Sequence, residues 1–168
     1  MKQVFYALSF LFLLTSGISA CAQNATPSPA QTATGKAGNS TVTINYGSPS
    51  VKGRKIWGDL VPYGKVWRTG ANDATTIEFS ADVKIEGQAL PKGKYALFTI
   101  PEANEWTIIF NKNAKQWGAY SYKQDEDVLR VKVKSQKSAT FNEALKFEVA
   151  NDMVHISWEN LMVMFSVK

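Results

Sequence analysis

Short segments in which apolar and polar residues alternate recur through most of the chain, and this alternation limits the fold more than any other feature. Leu129, Val131 and Val133 alternate with charged neighbours, which is the period of a strand with one buried face. The segments 94–100 and 106–110 are more continuously apolar, as expected of strands covered on both faces or central in a sheet. About nine short strands with turn signals between them predict an all-β fold. We expect an antiparallel β-sandwich, jelly-roll-like or immunoglobulin-like, with one long structured loop.

The C-terminal part of the chain predicts three further strands separated by two turns. The strands are expected at 145–149, 153–158 and 161–167, with the turns at Asn151-Asp152 and Glu159-Asn160. Asn and Asp favour turns, so these strands are predicted to form an antiparallel meander. The one candidate for a helical turn lies at 112–117.

The first twenty residues have the layout of a secretory signal peptide. Lys2 supplies a positive charge, an apolar run follows from Val4 to Leu14, and small residues lead up to Ala20. The run is too short for a membrane-spanning helix. We therefore predict that residues 1–20 are a signal peptide and that the protein is exported.

The cysteine at position 21 follows this segment directly and is the only one in the chain. The sequence 18–21, Ile-Ser-Ala-Cys, resembles the lipobox of bacterial lipoproteins, which implies lipidation of Cys21. The sequence 20–22, Ala-Cys-Ala, also fits ordinary signal cleavage, which would remove the cysteine. We favour lipidation, because a chance cysteine at this place is improbable in so cysteine-poor a chain.

Residues 21–39 are predicted to form a flexible tether, and residues 40–168 a single domain. The tether is rich in Ala, Thr, Gln, Ser and Pro and has no hydrophobic period, so it cannot bury enough apolar area to offset the entropy of ordering. No cysteine follows position 21, and an internal disulfide is therefore excluded. Packing must stabilise the domain.

The formal net charge of +5 is modest and dispersed, and this argues against nucleic acid as a partner. A nucleic-acid protein would carry a basic stripe and a recognisable motif. The predicted partners are instead a small molecule, a glycan or an envelope protein, with the membrane reached through the lipid anchor at Cys21.

The segment 48–73 is the part of the chain that most resembles a site. Four glycines and two prolines interrupt it, so it cannot be a regular strand or helix throughout. It nevertheless carries large aromatic residues beside basic ones, and a long connection of this kind is usually functional or disordered. Its aromatic content argues against disorder.

Several motifs of the domain resemble those of the bacterial family catalogued as domain of unknown function 2911. The resemblance covers residues 40–168 and includes, in this sequence, the following segments: SPSVKGR at 48–54, LVPYGKVWRTGAN at 60–72, LPKGKYALFTIP at 90–101, WTIIFN at 106–111 and QWGAY at 116–120. It implies a small exported β domain of Gram-negative bacteria, and it implies no particular activity.

The candidate ligand-binding residues lie mainly in the loop 54–73. Arg68, Thr69 and Asn72 can form a polar pocket, since a guanidinium grips carboxylate or phosphate and an amide fixes orientation. Alternatively they satisfy carbonyl groups of their own loop. Trp57, Tyr63, Trp67 and Trp117 can line a sugar- or aromatic-binding surface with Lys55 beside them, or they can pack as a core over one end of the sandwich.

The remaining polar residues favour neither a metal nor a cofactor. His155 is the only histidine, and a zinc site needs three or four protein ligands, so we interpret it as structural. The acidic run 125–127 is interpreted as a solvated turn, because a calcium loop needs more oxygen ligands at set spacing. Asp59 and Asp73 have no fixed separation that would suggest a glycosidase pair.

Three functions remain open from the sequence alone. The leading one is a non-enzymatic envelope module that binds a ligand or partner through the 57–72 part of the loop. The others are a small hydrolase or isomerase that combines the polar residues of this loop with His155, and a purely structural lipoprotein. The predicted location is membrane-anchored in the cell envelope, facing the periplasm or the surface, with a soluble periplasmic or secreted protein as the alternative.

Overall fold

A computed structural model of the protein describes residues 28–168, and within them nine strands form two antiparallel sheets. The predicted signal peptide, Cys21 and the first part of the predicted tether lie outside the described residues. The strands are β1 Ala30–Ala37, β2 Ser40–Gly47, β3 Thr76–Phe79, β4 Val83–Ile85, β5 Gln88–Leu90, β6 Gly93–Ile100, β7 Glu105–Asn111, β8 Asp127–Ala150 and β9 Met153–Ser166. The prediction of an antiparallel all-β domain is confirmed.

Seven of the strands belong to one sheet, in the order β1-β2-β3-β6-β7-β8-β9, and β4 and β5 form a separate hairpin. The large sheet curls until β1 lies beside β8, so that it is nearly closed. At the closest point a Cβ atom added to Gly35 would stand 2.5 Å from the carbonyl oxygen of Val149. Glycine therefore allows the two strands to approach there.

The prediction of a flexible tether up to residue 39 is wrong for Ala30–Ala37, which form β1. This strand pairs with β2 at every position from Ala30 to Ala37. Along β1 only Ala37, at its end, is fully buried, and Ala33, near its middle, packs partly against the core. The composition of this segment did not predict a strand, because β1 is stabilised by backbone hydrogen bonds to β2 and not by a buried apolar face of its own.

The predicted meander at the C-terminus is also wrong, because β8 and β9 form one long hairpin. The turn at Asn151-Asp152 is present, with φ of 52° and 57°, as a two-residue type I′ turn requires. The expected turn at Glu159-Asn160 lies inside β9 instead. Glu159 has φ of 55° opposite a register shift at Asn142, so the strand bends by a bulge-like irregularity without leaving its partner.

The expected helical turn at 112–117 is absent, and the one 3₁₀ turn of the described residues lies at Gln124–Glu126. Apart from one hydrogen bond between Gln116 and Asn113, groups at 112–117 bond outside the segment. Ala74 donates its N–H to the carbonyl oxygen of Gln116 at 3.0 Å, and the Gln116 side chain donates to Asn111 at 3.1 Å. Tertiary hydrogen bonds therefore replace the helical ones.

The main core fills the inside of the curled sheet, and four tryptophans form its densest part. Trp57 packs edge to face on Trp106 with ring centroids 5.0 Å apart, and Trp67 stacks on Trp158 at 5.9 Å. The indole N–H groups of Trp57, Trp106 and Trp158 are buried without an oxygen or nitrogen acceptor among the described residues. Edge-to-face contact is the arrangement in which such a group can point at a neighbouring ring.

Candidate functional site

The outer face of β6 and β7 is apolar, and it must be covered. Ala96, Phe98 and Ile109 are completely buried on this face, as expected for the continuously apolar strands of the sequence. The loops 66–75 and 112–123 fold over it and form a second hydrophobic cluster there, with Ala74, Val66, Ala119 and Tyr122 among its members. Covering the sheet brings these two loops together at one edge of the domain.

An open cleft of about 600 Å³ lies where the two loops meet the start of the sheet. One wall is formed by β1 at 30–32 and by the end of β2 at 45–47. The opposite wall consists of residues 71–74 and 114–117 of the two loops. A hydrogen bond between these loops, from Ala74 N–H to the Gln116 carbonyl, fixes the second wall.

Trp117 is the exposed aromatic side chain of this cleft. It is 62% exposed, whereas the other four tryptophans, all within the described residues, are buried or partly buried in the main core. Leaving so large an apolar ring in water is unfavourable, and its neighbours in the loop do not cover it. Tyr120, on the same loop, is 87% exposed but does not line the cleft.

The polar lining of the cleft consists mostly of uncharged amides and hydroxyls, from Gln31, Thr32, Asn45, Tyr46, Asn72, Thr76 and Gln116. Among the described residues, the charged side chains that line it are one acid, Asp73, and one base, Lys115. The Thr32 hydroxyl donates to Asn45 Oδ1 at 2.8 Å, and both side chains are exposed. The charges of the site nearly cancel, and neutral hydrogen-bonding groups dominate it.

A chain of hydrogen bonds beneath the cleft sets the orientation of Gln116. It starts at the carboxylate of Asp127, whose side chain is 5% exposed and bonds to Arg130 Nε at 2.6 Å. A carboxylate only accepts hydrogen bonds, so Asn111 must direct its Nδ2 at Asp127, 2.8 Å away. The Oδ1 of Asn111 then accepts from Gln116 Nε2.

This chain of hydrogen bonds leaves the oxygen atom of the Gln116 amide, Oε1, without a donor among the described residues. The Nε2 group also donates to Asn113 O at 2.6 Å, so the amide cannot be flipped without placing oxygen against oxygen. The Oε1 atom is buried and accepts no hydrogen bond from the described residues. A buried acceptor in this state costs on the order of 1–3 kcal/mol, and it lies in a residue that lines the cleft.

Tyr122 completes the network at its far end. Its hydroxyl donates to Asp127 at 2.6 Å, and Arg130 donates to the same hydroxyl. Burial, followed by the hydrogen bond to Asp127, raises the pKa of Tyr122 to about 12, against the opposing effect of Arg130. The phenol is therefore neutral at physiological pH and serves as a fixed donor to the carboxylate.

The structure separates the polar residues that the sequence grouped in the loop 54–73. Thr69 is fully buried and donates to Thr99 Oγ1 at 3.2 Å, with φ of 54°. A β-branched residue with positive φ is strained, so this hydroxyl holds a tight turn. Arg68 is partly buried, with its Nε atom unpartnered among the described residues, and it does not line the cleft.

Asn72 is the member of that group that reaches the cleft. It is exposed, with φ of 64°, a conformation that Asn tolerates better than most residues. Its Nδ2 donates to the carbonyl oxygen of Ser28 at 3.3 Å. Lys55 is exposed and Tyr63 is 40% exposed; both lie outside the cleft lining.

The aromatic residues that were predicted to bind a ligand also lie in different parts of the structure. Trp57 and Trp67 pack into the main core with Trp106 and Trp158, so for these two the core interpretation agrees with their packing. Trp117 alone of the predicted aromatic residues lines the cleft.

His155 and the acidic run lie away from the cleft lining. His155 faces Glu148 across the β8–β9 pair, where hydrogen bonding to Lys146 lowers the pKa of Glu148. Asp125 is exposed in the 3₁₀ turn, as a solvated turn predicts, but Asp127 belongs to the buried network. Within residues 28–168, no group of three or more His, Cys, Asp or Glu residues is placed to hold a metal ion.

A second, shallower groove of about 670 Å³ lies next to the cleft at the edge of the sheet. It runs between β1 and residues 142–149 of β8, where the large sheet fails to close. Gln31, Thr32 and Tyr46 line both depressions. The two therefore adjoin at β1, and we call them together the furrow.

Sequence reasoning missed the wall that β1 contributes. Gln31 and Thr32 lie in the segment predicted to be a tether, and Gln116 lies in the segment predicted to be a helical turn. For Asn45 a signal was present, because it alternates with Val42 and Ile44 and therefore points away from the core. Its contact with Thr32 required the unpredicted strand.

The fold and the cleft define a small all-β domain with a nearly closed antiparallel sheet and an open, polar, tryptophan-bearing cleft. No helix of the described part is long and apolar enough to cross a membrane. The model of the family described as Protein of unknown function (DUF2911) matches residues 28–167. The chain belongs to this family, which confirms the resemblance found in the sequence, and the match includes β1. No curated protein and no solved structure matches the chain.

Proposed function

We propose that the protein is an exported cell-envelope protein whose β-sandwich-like domain binds a ligand without transforming it. The observation that carries the proposal is Trp117, which is 62% exposed in a cleft lined by convergent amides and hydroxyls. Concave sites with one aromatic surface and a few placed polar groups are typical of small-molecule binding. Binding thus involves the 71–74 end of the predicted loop together with β1, β2 and residues 114–117.

Enzymatic chemistry has less support from the geometry. The hydrolase or isomerase hypothesis requires Arg68, Asn72 and His155 in one pocket. Of these, Asn72 lines the cleft and the other two do not. A purely structural role does not explain why Trp117 is exposed in a cleft.

The location of the protein rests on its N-terminal sequence. Signal cleavage before Cys21 and lipidation of its thiol would hold the domain at an envelope membrane. The alternative, cleavage after position 22, would release a soluble periplasmic or secreted protein. Intact mass of the protein from membranes distinguishes the two: a diacylated Cys21 supports the anchor, and an unmodified N-terminus at Gln23 refutes it.

Ligand binding is tested by thermal shift of the purified protein against envelope sugars, peptidoglycan fragments, nucleotides, short peptides and metal ions. A ligand that binds the folded state raises the melting temperature in proportion to its saturation. We expect at least one class to stabilise the wild type and to have a much smaller effect on Trp117→Ala. Tyr120→Ala is the matched control, since it removes an exposed aromatic ring of the same loop outside the cleft. An equal response of wild type and Trp117→Ala to every compound would refute this site.

A further inference from the structure

The composition of the furrow limits the chemical class of its ligand. A phosphorylated or otherwise polyanionic ligand would need several cations, and the cleft offers Lys115 beside the opposing charge of Asp73. In the second groove, Lys146 is paired with Glu148 at 3.0 Å, and Glu143 accepts from the Lys52 N–H at 2.9 Å. A ligand of high net charge therefore finds no complementary field in either depression.

The neutral groups of the cleft suit hydroxyls. Gln31, Asn45 and Asn72 are exposed side-chain amides that line it. An amide carries both a donor and an acceptor, and a sugar hydroxyl likewise both donates and accepts. Gln116 Oε1 is buried and belongs to the wall of the cleft.

Trp117 supplies the apolar contact that such a ligand also needs. The faces of sugar rings carry C–H groups, and a flat indole offers them a large, rigid surface with little loss of side-chain entropy. An exposed indole beside neutral amides suits a sugar ring. An extended peptide would bind instead through backbone hydrogen bonds to a sheet edge, and because the edge strand β1 borders the second groove, a peptide is included among the competing probes below.

The length of the site points to more than one sugar unit. The cleft and the second groove share Gln31, Thr32 and Tyr46, so a chain that starts on Trp117 can continue across β1 toward β8. A monosaccharide would fill only the part of the furrow next to the indole.

We infer that the furrow binds an uncharged oligosaccharide, with one sugar ring on Trp117 and its hydroxyls on the exposed amides of Asn45 and Asn72. This inference rests on the proposed ligand-binding function and specifies its ligand. It does not require any bond in the sugar to be broken.

The test is direct binding of defined oligosaccharides by isothermal titration calorimetry. The probes are N-acetylchitohexaose, cellohexaose and maltohexaose, with heparin hexasaccharide, penta-alanine and ATP as the competing classes. Each is measured on wild type, Trp117→Ala, Trp117→Phe and Tyr120→Ala. Trp117 and Tyr120 are exposed, so these variants are expected to fold, and their urea unfolding curves check this.

We expect at least one neutral hexasaccharide to bind. Trp117→Ala should weaken that binding about tenfold or more, since an aromatic contact with its buried area is worth at least that factor. Trp117→Phe should retain part of the affinity, and Tyr120→Ala should change it by less than about twofold. The corresponding monosaccharides should bind more weakly than the hexamers.

The other outcomes overturn the inference in distinguishable ways. Binding of ATP, penta-alanine or heparin through Trp117 while the neutral sugars fail would refute the sugar class but leave ligand binding at this cleft intact. A hexasaccharide that binds wild type and Trp117→Ala equally would refute the site. Absence of binding by every compound, here and in the thermal-shift panel, would refute both proposals.

Discussion

The contact between β1 and β8 at Gly35 gives a sharp test of the fold. Replacing this glycine by alanine changes the free energy of unfolding, and the sign of that change shows whether β1 packs against β8. In Gly35→Ala, the new Cβ would lie 2.5 Å from Val149 O and 2.7 Å from Val149 Cβ. Ordinary contact begins near 3.4 Å, so the two strands must separate by about 0.5–1 Å, and such overpacking typically costs about 1–3 kcal/mol. Alanine also lowers the conformational entropy of the unfolded chain, which offsets about 0.4–1 kcal/mol of this destabilisation. We expect a net destabilisation of about 1–2 kcal/mol.

Urea unfolding, followed by circular dichroism and tryptophan fluorescence, measures this effect. The midpoint should fall with an unchanged slope, and the melting temperature should fall by about 3–8 °C for a domain of this size. Thr34→Ala is the control, since Thr34 is exposed on the same strand and should change stability by no more than about 0.5 kcal/mol. If residues 30–37 formed a flexible tether, Gly35→Ala would be neutral, and if β1 were a strand free of β8 it would be stabilising. Either result would refute the contact.

Three further predictions concern the core and the buried network. Trp106→Ala should lower the free energy of unfolding by about 3–5 kcal/mol and reduce the near-ultraviolet circular dichroism, because Trp106 is 1% exposed in the tryptophan cluster; an unchanged spectrum would contradict the packing. Ser48→Ala should cost about 1 kcal/mol in urea unfolding, since the buried hydroxyl donates to Leu145 O at 2.7 Å; Ser121→Ala, at an exposed serine, serves for comparison. Tyr122, with its pKa raised to about 12 in the folded state, stays protonated when an unfolded tyrosine ionises near pH 10. Its contribution is therefore complete below about pH 10 and lost as the pH rises toward 12, so the stability difference between wild type and Tyr122→Phe should shrink over that window; a constant difference would show that the raised pKa is wrong.

The sequence predicted those parts of the fold in which a strand carries its own hydrophobic signal. In β2, Val42 and Ile44 alternate with polar residues, and β6 is a continuous apolar run; the inward residues of both strands are buried. It failed for β1, whose Thr- and Gln-rich segment is held by a partner strand and by one close approach at Gly35. It failed again at Glu159, because an irregularity inside a long strand and a turn between two strands use the same residue types.

The candidate site, like the fold, could be predicted from the sequence only in part, because the position of a side chain depends on residues distant in the chain. Trp117 was predicted as a binding residue from its type, and it lines the cleft. Trp57 and Trp67 were predicted on the same grounds and lie in the core, because an aromatic residue in a loop carries no signal of which face it will meet. Trp67 lies in the loop that covers the outer face of β6 and β7, yet its side chain packs in the main core, so the face that a loop covers does not determine the direction of its indole.

The orientation of the Gln116 amide depends on residues both near and far along the chain. Its Nε2 donates to Asn113 O, three positions earlier, and to Asn111, which in turn donates to Asp127. Asp127→Asn would weaken one of the contacts that fix the Asn111 amide, but its Nδ2 would still donate to Lys123 O at 3.0 Å and its Oδ1 would still accept from the Asn113 N–H at 3.1 Å. Neither amide is therefore expected to flip. Substitutions beneath the cleft are expected to lower the stability of its wall, since they leave buried hydrogen-bonding groups without partners, and to change ligand specificity less than substitutions within it.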